Sequence, residues 1–276
     1  RPRSDLGIGT PESAYQVSRK TLGHPSLQEN ADEISELRAW LEASAAAVVF
    51  EMGDQAESAM AALQDCFKPL TRVAMIWDVT DSQGVNQVRE RSAASSAVSR
   101  RTVSASLSTS KWIPSKDEVL KLQNANGHPL YFYPGLLLVD GGGLHGPALI
   151  DYRDISVDVG IQRFLEEESI PRDSVQVDTT WAKVNKNGKP DRRFKNNYQI
   201  PIMAYGDVHL TSGTGLNERY MFSSPVVAMA FGLQLIAVKL SMSDPVEFDS
   251  LMKAVGRIAA KDEGLPALAR LARRYR

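Results

Sequence analysis

Hydrophobic positions recur along this chain in two rhythms, and the change between them marks a change of architecture. From Asn30 the spacing is helical: Ile34, Leu37, Leu41 and Val48 follow Asn30-Ala-Asp-Glu33, a cap residue with a carboxylate three positions on. This predicts a helix to about Met52. Gly53 ends it, Asp54 is placed to cap another, and Met60, Leu63 and Phe67 form that second helix's buried stripe until Pro69 interrupts. An antiparallel helical pair is expected. After Trp77 the composition turns to Ser, Ala and Arg, yet Val103, Ala105 and Leu107 alternate with polar neighbours as a half-buried strand does. Ser115-Lys-Asp-Glu118 has the form of a second capping box and predicts a short helix stopping near Asn126-Gly127.

From Leu130 the period shortens to that of strands. Leu130 to Phe132, Leu136 to Val139, Ala148 to Tyr152, Ile155 to Val159, Val175 to Val184, Ile200 to Tyr205, Val208 to Leu210 and Arg219 to Phe222 are short apolar segments. They are punctuated by Gly141-Gly-Gly143, Asn187-Gly188 and Gly213-Thr-Gly215, as antiparallel hairpins are. Ser224-Pro225 then supplies a cap and a first-turn proline, and Val226, Met229, Ala230, Leu233, Ile236, Ala237 and Leu240 form an apolar stripe expected to lie on the sheet. Asp244-Pro245-Val-Glu247 opens a further helix, broken at Gly264, and 265–276 is a short basic amphipathic segment.

The predicted class is therefore α+β: an N-terminal helical segment, then a curved antiparallel sheet or small barrel of pleckstrin-homology-like topology, closed by a long C-terminal helix. The expected organisation is a flexible arm over 1–27, a mainly helical segment with one strand over 28–126, the sheet domain with its closing helix over 127–243, and C-terminal helices over 244–276.

Composition narrows the function. The 276 residues carry 32 Lys+Arg against 33 Asp+Glu, a net charge of −1, so any electrostatic role must come from a local patch. The lone Cys66 excludes an internal disulfide framework and a multi-thiolate zinc site, and fits a reducing compartment. The first residue is Arg and the opening stretch lacks a secretory signal, so the chain reads as an excised piece. The longest apolar run, Pro225 to Val238, falls short of the roughly 20 residues that cross a bilayer, and no membrane span is expected.

Candidate chemistry concentrates in 180–197. Lys183, Lys186, Lys189, Arg192, Arg193 and Lys195 set six positive charges against Asp191, and Asn187-Gly188 is the preferred type I′ turn dipeptide, so its flanks should pair. Such an excess can hold phosphate through Arg forks and Lys point charges. The competing reading is structural: Asp191 pins the loop through an Arg, while Trp181 and Phe194 are core or hairpin packing. A phosphodiester enzyme using Asp191, Arg192 and Arg193 is the alternative function. Pro190-Asp191 also opens restriction-type nuclease sites, but no acid-x-Lys follows at a useful distance, and Asp207-Val-His209 lacks the lysine.

Other motifs favour bland readings. Glu166-Glu-Glu168 reads as a solvated acidic turn, able also to dock the basic hairpin of a neighbouring molecule. His24, His128, His145 and His209 are scattered without metal-site spacing. Gly141-Gly-Gly143 reads as a hairpin connection and Cys66 as a buried thiol. Leu268 and Leu271 with Arg270, Arg273, Arg274 and Arg276 fit either a surface contact or a helix end whose cations complement its dipole. No catalytic residue, metal or cofactor is assigned.

Tyr131-Phe-Tyr-Pro134, Arg163-Phe-Leu-Glu166, Thr180-Trp181, Asn185-Lys186, Gly188, Pro190-Asp-Arg-Arg-Phe194, Asn196-Asn197 and Gly215-Leu-Asn-Glu218 together resemble a bacterial domain family of unknown function, over about residues 70–240. Its signature segment is TW-x3-NK-x-G-x-PDRRF-x-NN. The resemblance implies a bacterial cytosolic setting and no assigned activity. The function expected is a non-enzymatic binding or scaffolding domain with the basic hairpin 183–197 as contact surface. Its partner would be a protein, a second copy of the chain, or nucleic acid or another polyanion.

Overall fold

Gly53, not Asp54, stands at the start of the first helix, α1 (Asp54–Asp65), and no side chain caps it. Asp54 and Glu57 instead occupy the first turn, where their charge complements the helix dipole. In the computed structural model the described residues are 52–84, 96–113, 115–141, 146–185 and 187–275. The expected 1–27 arm and the helix from Asn30 lie outside them. The described residues all belong to one compact unit, which spans 49–276. Helix α1 buries Ala56, Ala59, Met60 and Leu63, and a short α2 (Phe67–Leu70) follows. Pro69 sits inside α2 without breaking it, since a first-turn amide has no helical acceptor to lose.

Two antiparallel sheets come next. The six-stranded sheet runs β2 (Ser96–Val103), β1 (Ile76–Gly84), β11 (Asn217–Phe222), β10 (Gln199–Ser212), β8 (Ile155–Leu165), with β9 (Val175–Trp181) also pairing β10. The five-stranded sheet is a meander of β3 (Ala105–Ser108), β4 (Val119–Leu122), β5 (Leu130–Tyr133), β6 (Leu136–Asp140) and β7 (Pro147–Asp151). Among the described residues the sheets form no closed barrel. The six-stranded sheet draws β1 and β2 from before residue 127 and β8 to β11 from after it.

Four expectations need correction. The stretch after Trp77 is not one short strand: β1, β2 and β3 all fall in it, and the alternation at Val103, Ala105 and Leu107 spans the point where the chain leaves one sheet for the other. Ser115-Lys-Asp-Glu118 starts no helix. Its Ser115 hydroxyl accepts from the Asp117 amide at 3.2 Å, a local turn, and Val119, Leu120 and Leu122 are then buried in β4 between β3 and β5. The segments around 200–205 and 208–210 are one 14-residue strand, β10. The strand expected over Val175 to Val184 stops at Trp181 and is largely exposed.

β10 continues through Gly206 because helix α3 (Pro225–Ser243) passes directly over it. A Cβ at Gly206 would collide with the Ala228 methyl and lie 3.3 Å from the Pro225 Cα. Ser224 caps α3 as expected, its hydroxyl accepting from the Val227 amide. The helix has the length and apolarity of a membrane-crossing one. Yet Ala228, Met229, Phe231, Gly232, Leu233, Leu235, Ile236, Ala237 and Val238 are all buried, so it is apolar nearly all round because it sits in the core and gives no clear span. Phe231 meets Phe132 of the five-stranded sheet at 5.4 Å between ring centres and Phe222 of the six-stranded sheet at 6.5 Å. Helices α4 (Pro245–Ala260) and α5 (Gly264–Arg274) complete the chain, α4 capped by Asp244 as its sequence predicts.

Side-chain alternation gives the six-stranded sheet two used faces. Ile76, Tyr220 and Phe222 face the main core with Val208 and Leu210. Trp77, Met203, Tyr205 and Met221 form a separate cluster with Val79, Val98 and Phe164.

Candidate anion-binding site

Residues 182–198 hang from the end of the β9–β10 ladder, which closes at Trp181 opposite Gln199. The Ala182 amide donates to the Tyr198 carbonyl at 2.9 Å, extending the pairing one step. Asn197 then substitutes for a strand: its Oδ1 accepts from the Lys183 amide at 2.9 Å and its Nδ2 donates to the Lys183 carbonyl at 2.8 Å. That carbonyl also accepts from the Asp191 amide at 3.1 Å. Val184 bridges Pro190, the Asn185 amide donates to the Lys189 carbonyl, and the Gly188 amide closes the turn on the Asn185 carbonyl at 2.9 Å. The flanks pair as expected, but the turn runs from Asn185 to Gly188 rather than centring on Asn187-Gly188. Gly188 adopts φ 77°, which a residue with a Cβ strongly disfavours.

Asp191 is 2% exposed and anchors the second turn. Its Oδ1 accepts from the Arg193 amide at 3.1 Å and from Arg193 Nε at 2.9 Å, and its Oδ2 accepts from Arg193 Nη2 at 2.7 Å. The pair raises the already high pKa of the Arg193 guanidinium, through the hydrogen bond first and the charge second. The expected Asp–Arg loop clamp is therefore present. Trp181 is half-buried and Phe194 is 40% exposed, so of the two expected roles, core or hairpin packing, neither side chain takes the fully buried one.

Lys183, Lys189, Arg192, Arg193 and Lys195 are all exposed; Lys186 lies outside the described residues. Lys183, Arg193 and Lys195 line one cleft of about 480 Å³ with Glu167, Phe194, Asn196, Asn197 and Tyr198. Lys189 and Arg192 are not part of its lining. Tyr198 is 55% exposed.

The acidic turn beside this cleft differs from its expected form. Glu167 and Glu168 are exposed, but Glu166 is 2% exposed. Both Glu166 oxygens accept from Arg100 Nη2 at 2.9 Å, and Oε2 also accepts from the Tyr205 hydroxyl at 2.6 Å. The Arg100 guanidinium lies 4.2 Å from the ring centre of Trp77 and 4.3 Å from that of Phe164, a cation between two aromatic faces. Burial, then the Glu166 hydrogen bond and charge, push the Tyr205 phenol well above its ordinary value of 10.0, so it remains a donor. The solvated-turn reading holds for Glu167 and Glu168 but not for Glu166, because Arg100, distant in sequence, supplies the charge that lets Glu166 be buried.

A second polar group sits where the β4–β5 turn meets β1 and β11. Asp78 Oδ2 accepts from the Ala125 amide at 2.7 Å, and Glu218 Oε1 accepts from Asn124 Nδ2 at 2.9 Å. Asn124 Oδ1 accepts from the His128 amide at 2.8 Å, and the nearby Tyr220 hydroxyl is buried with no hydrogen-bond partner among the described residues. Two acids of one sheet thus grip the turn of the other. Sequence reasoning passed over Arg100, Asp78 and Asn124, since each acquires its role only through long-range strand register.

Among the described residues no group of three or more His, Cys, Asp or Glu side chains is arranged to hold a metal ion. His128 Nδ1 lies 3.3 Å from the Asp140 carbonyl and His209 Nε2 lies 2.7 Å from Asn217 Oδ1. The Cys66 thiol is half-buried, and burial with the adjacent Asp65 raises its pKa. β6 and β7 pair antiparallel, in keeping with the hairpin reading, and residues 142–145 between them lie outside the described residues. In α5, Leu268 and Leu271 pack on the core, while Arg270 and Arg273 line a groove with Asp158 and Asp207. No protein-family model, curated protein or solved structure matches this chain.

Proposed function

We propose that this chain is a non-enzymatic binding domain whose 183–197 surface contacts an anionic ligand. One observation carries the reading: Lys183, Arg193 and Lys195 converge on a single exposed cleft whose backbone is fixed by Asn197 and Asp191. Cations on an already ordered loop bind an anion without the entropy loss of ordering it first. The phosphodiester-enzyme alternative is weaker, because Asp191, its intended acid, already receives the Arg193 side chain and amide on its carboxylate. The motif resemblance supports placing the domain in a bacterial cytosolic assembly. The order of two antiparallel sheets followed by α3 supports a pleckstrin-homology-like topology in which that helix closes the sheets.

Heparin binding by the full chain tests the reading. Affinity should fall steeply with salt, and Lys183→Glu with Lys195→Glu should abolish binding while leaving the melting temperature near the parent's, since both side chains are exposed. Salt-independent binding, or binding unaffected by the double reversal, would rule this surface out.

A further inference from the structure

We infer that the anionic ligand of this cleft is single-stranded nucleic acid, an inference that rests on the binding-surface reading above. The cleft combines two kinds of group that serve different parts of one polymer. Lys183 and Lys195, with Arg193 paired to Asp191 beside them, supply more charge than Glu167 removes for holding a phosphate backbone, and Tyr198, more than half exposed, shares the same lining with Phe194. Base–aromatic stacking and backbone cations are the pairing by which sequence-tolerant single-strand grooves work. An acidic peptide would use the cations and leave the rings in water.

The Tyr198 backbone is also anchored. Its carbonyl accepts from the Ala182 amide, and β10 begins at the next residue, so the residue sits at the end of a paired strand. Asn197, the residue before it, is locked to Lys183 at both its oxygen and its nitrogen. The backbone positions that carry Tyr198 and Lys183 are therefore fixed relative to each other by hydrogen bonds of 2.8 to 2.9 Å. The cleft's volume of about 480 Å³ lies within the range of small-ligand pockets, enough for a nucleotide. Bases inside a duplex are stacked on each other and cannot reach the ring, so a single strand is the form that fits.

The test uses the full chain and a fluorescein-labelled mixed-sequence single strand of about 12 nucleotides, within the site sizes typical of such grooves. The same-sequence duplex, heparin and polyglutamate are the comparators. The single strand should bind more tightly than the duplex and polyglutamate, with affinity falling as salt rises. Tyr198→Ala should weaken single-strand binding by about five- to hundredfold and leave heparin binding unchanged, while Tyr198→Phe should restore it. Equal affinity for the single strand and heparin, with Tyr198→Ala silent, overturns the nucleic-acid inference and leaves the anion-binding surface standing. Preference for polyglutamate overturns it in favour of an acidic protein partner. Binding to none of the four polyanions removes the underlying surface as well. The melting temperature of Tyr198→Ala, expected to match the parent because the ring is exposed, separates lost stacking from lost folding.

Discussion

A single nitrogen of Arg100 holds both carboxylate oxygens of Glu166 at 2.9 Å, on the face of the six-stranded sheet otherwise formed by Trp77, Met203, Tyr205 and Met221. Removing one partner would strand the other charge among apolar groups. Arg100→Ala should therefore destabilise the fold by about 3 to 5 kcal/mol in urea unfolding, whereas Glu166→Gln, which keeps an acceptor for Tyr205, should cost less. A parent-like midpoint for Arg100→Ala would show the pair to be dispensable.

The contact between α3 and β10 admits no added atom at Gly206. Gly206→Ala would press its methyl on Ala228 and crowd the Pro225 backbone, forcing the helix start away from the sheet. Overpacking of this kind costs about 1 to 3 kcal/mol, more than the roughly 0.4 to 1 kcal/mol that alanine returns by restricting the unfolded chain. Net destabilisation by chemical denaturation is the expected outcome. A neutral or stabilised Gly206→Ala protein would mean that the helix moves freely over the strand.

The fold was legible in the sequence where local chemistry and burial agree. Ser224-Pro225 and Asp244-Pro245 mark α3 and α4 because cap geometry is decided within a few residues. The Ser115 box failed because the same hydroxyl-to-amide bond serves a turn as well as a helix, and burial of Val119, Leu120 and Leu122 between two strands decided the outcome. The basic loop was legible as charge, and the Asp191–Arg193 clamp as a pairing two residues apart. Arg100 was not, since its partners Trp77, Phe164 and Glu166 are set by β1–β2 pairing and by sheet order, which no local pattern encodes.

Within the basic loop, structural and contact residues should separate cleanly. Asp191→Ala removes the acceptor of three Arg193 hydrogen bonds and should lower stability by about 1 to 3 kcal/mol. Lys189→Ala and Arg192→Ala alter exposed side chains and should fall within about 0.5 kcal/mol of the parent. Thermal melting of the three variants side by side checks this. Equal losses in all three would mean that the loop is held by its exposed cations and not by the clamp.

Glu218 makes stability depend on pH in the opposite sense to an ordinary salt-bridged acid. Burial lifts its carboxyl above the usual 4.5; the Asn124 hydrogen bond lowers it, the charge of Asp78 raises it further, and His128 opposes. The folded chain therefore holds this proton more tightly than the unfolded chain does. Its contribution is fully present below about pH 4.5 and is lost as pH rises through the raised value. Glu218→Gln keeps an oxygen for Asn124 Nδ2 but cannot ionise. The unfolding free energy of Glu218→Gln minus that of the parent should therefore rise with pH across that window and then level off. Urea unfolding of both proteins at a series of pH values measures the difference directly. A flat difference would show that the carboxyl titrates alike in the folded and unfolded chains, and one that falls as pH rises would show that the folded site favours the ionised carboxylate and that the grip on the β4–β5 turn is a charged one.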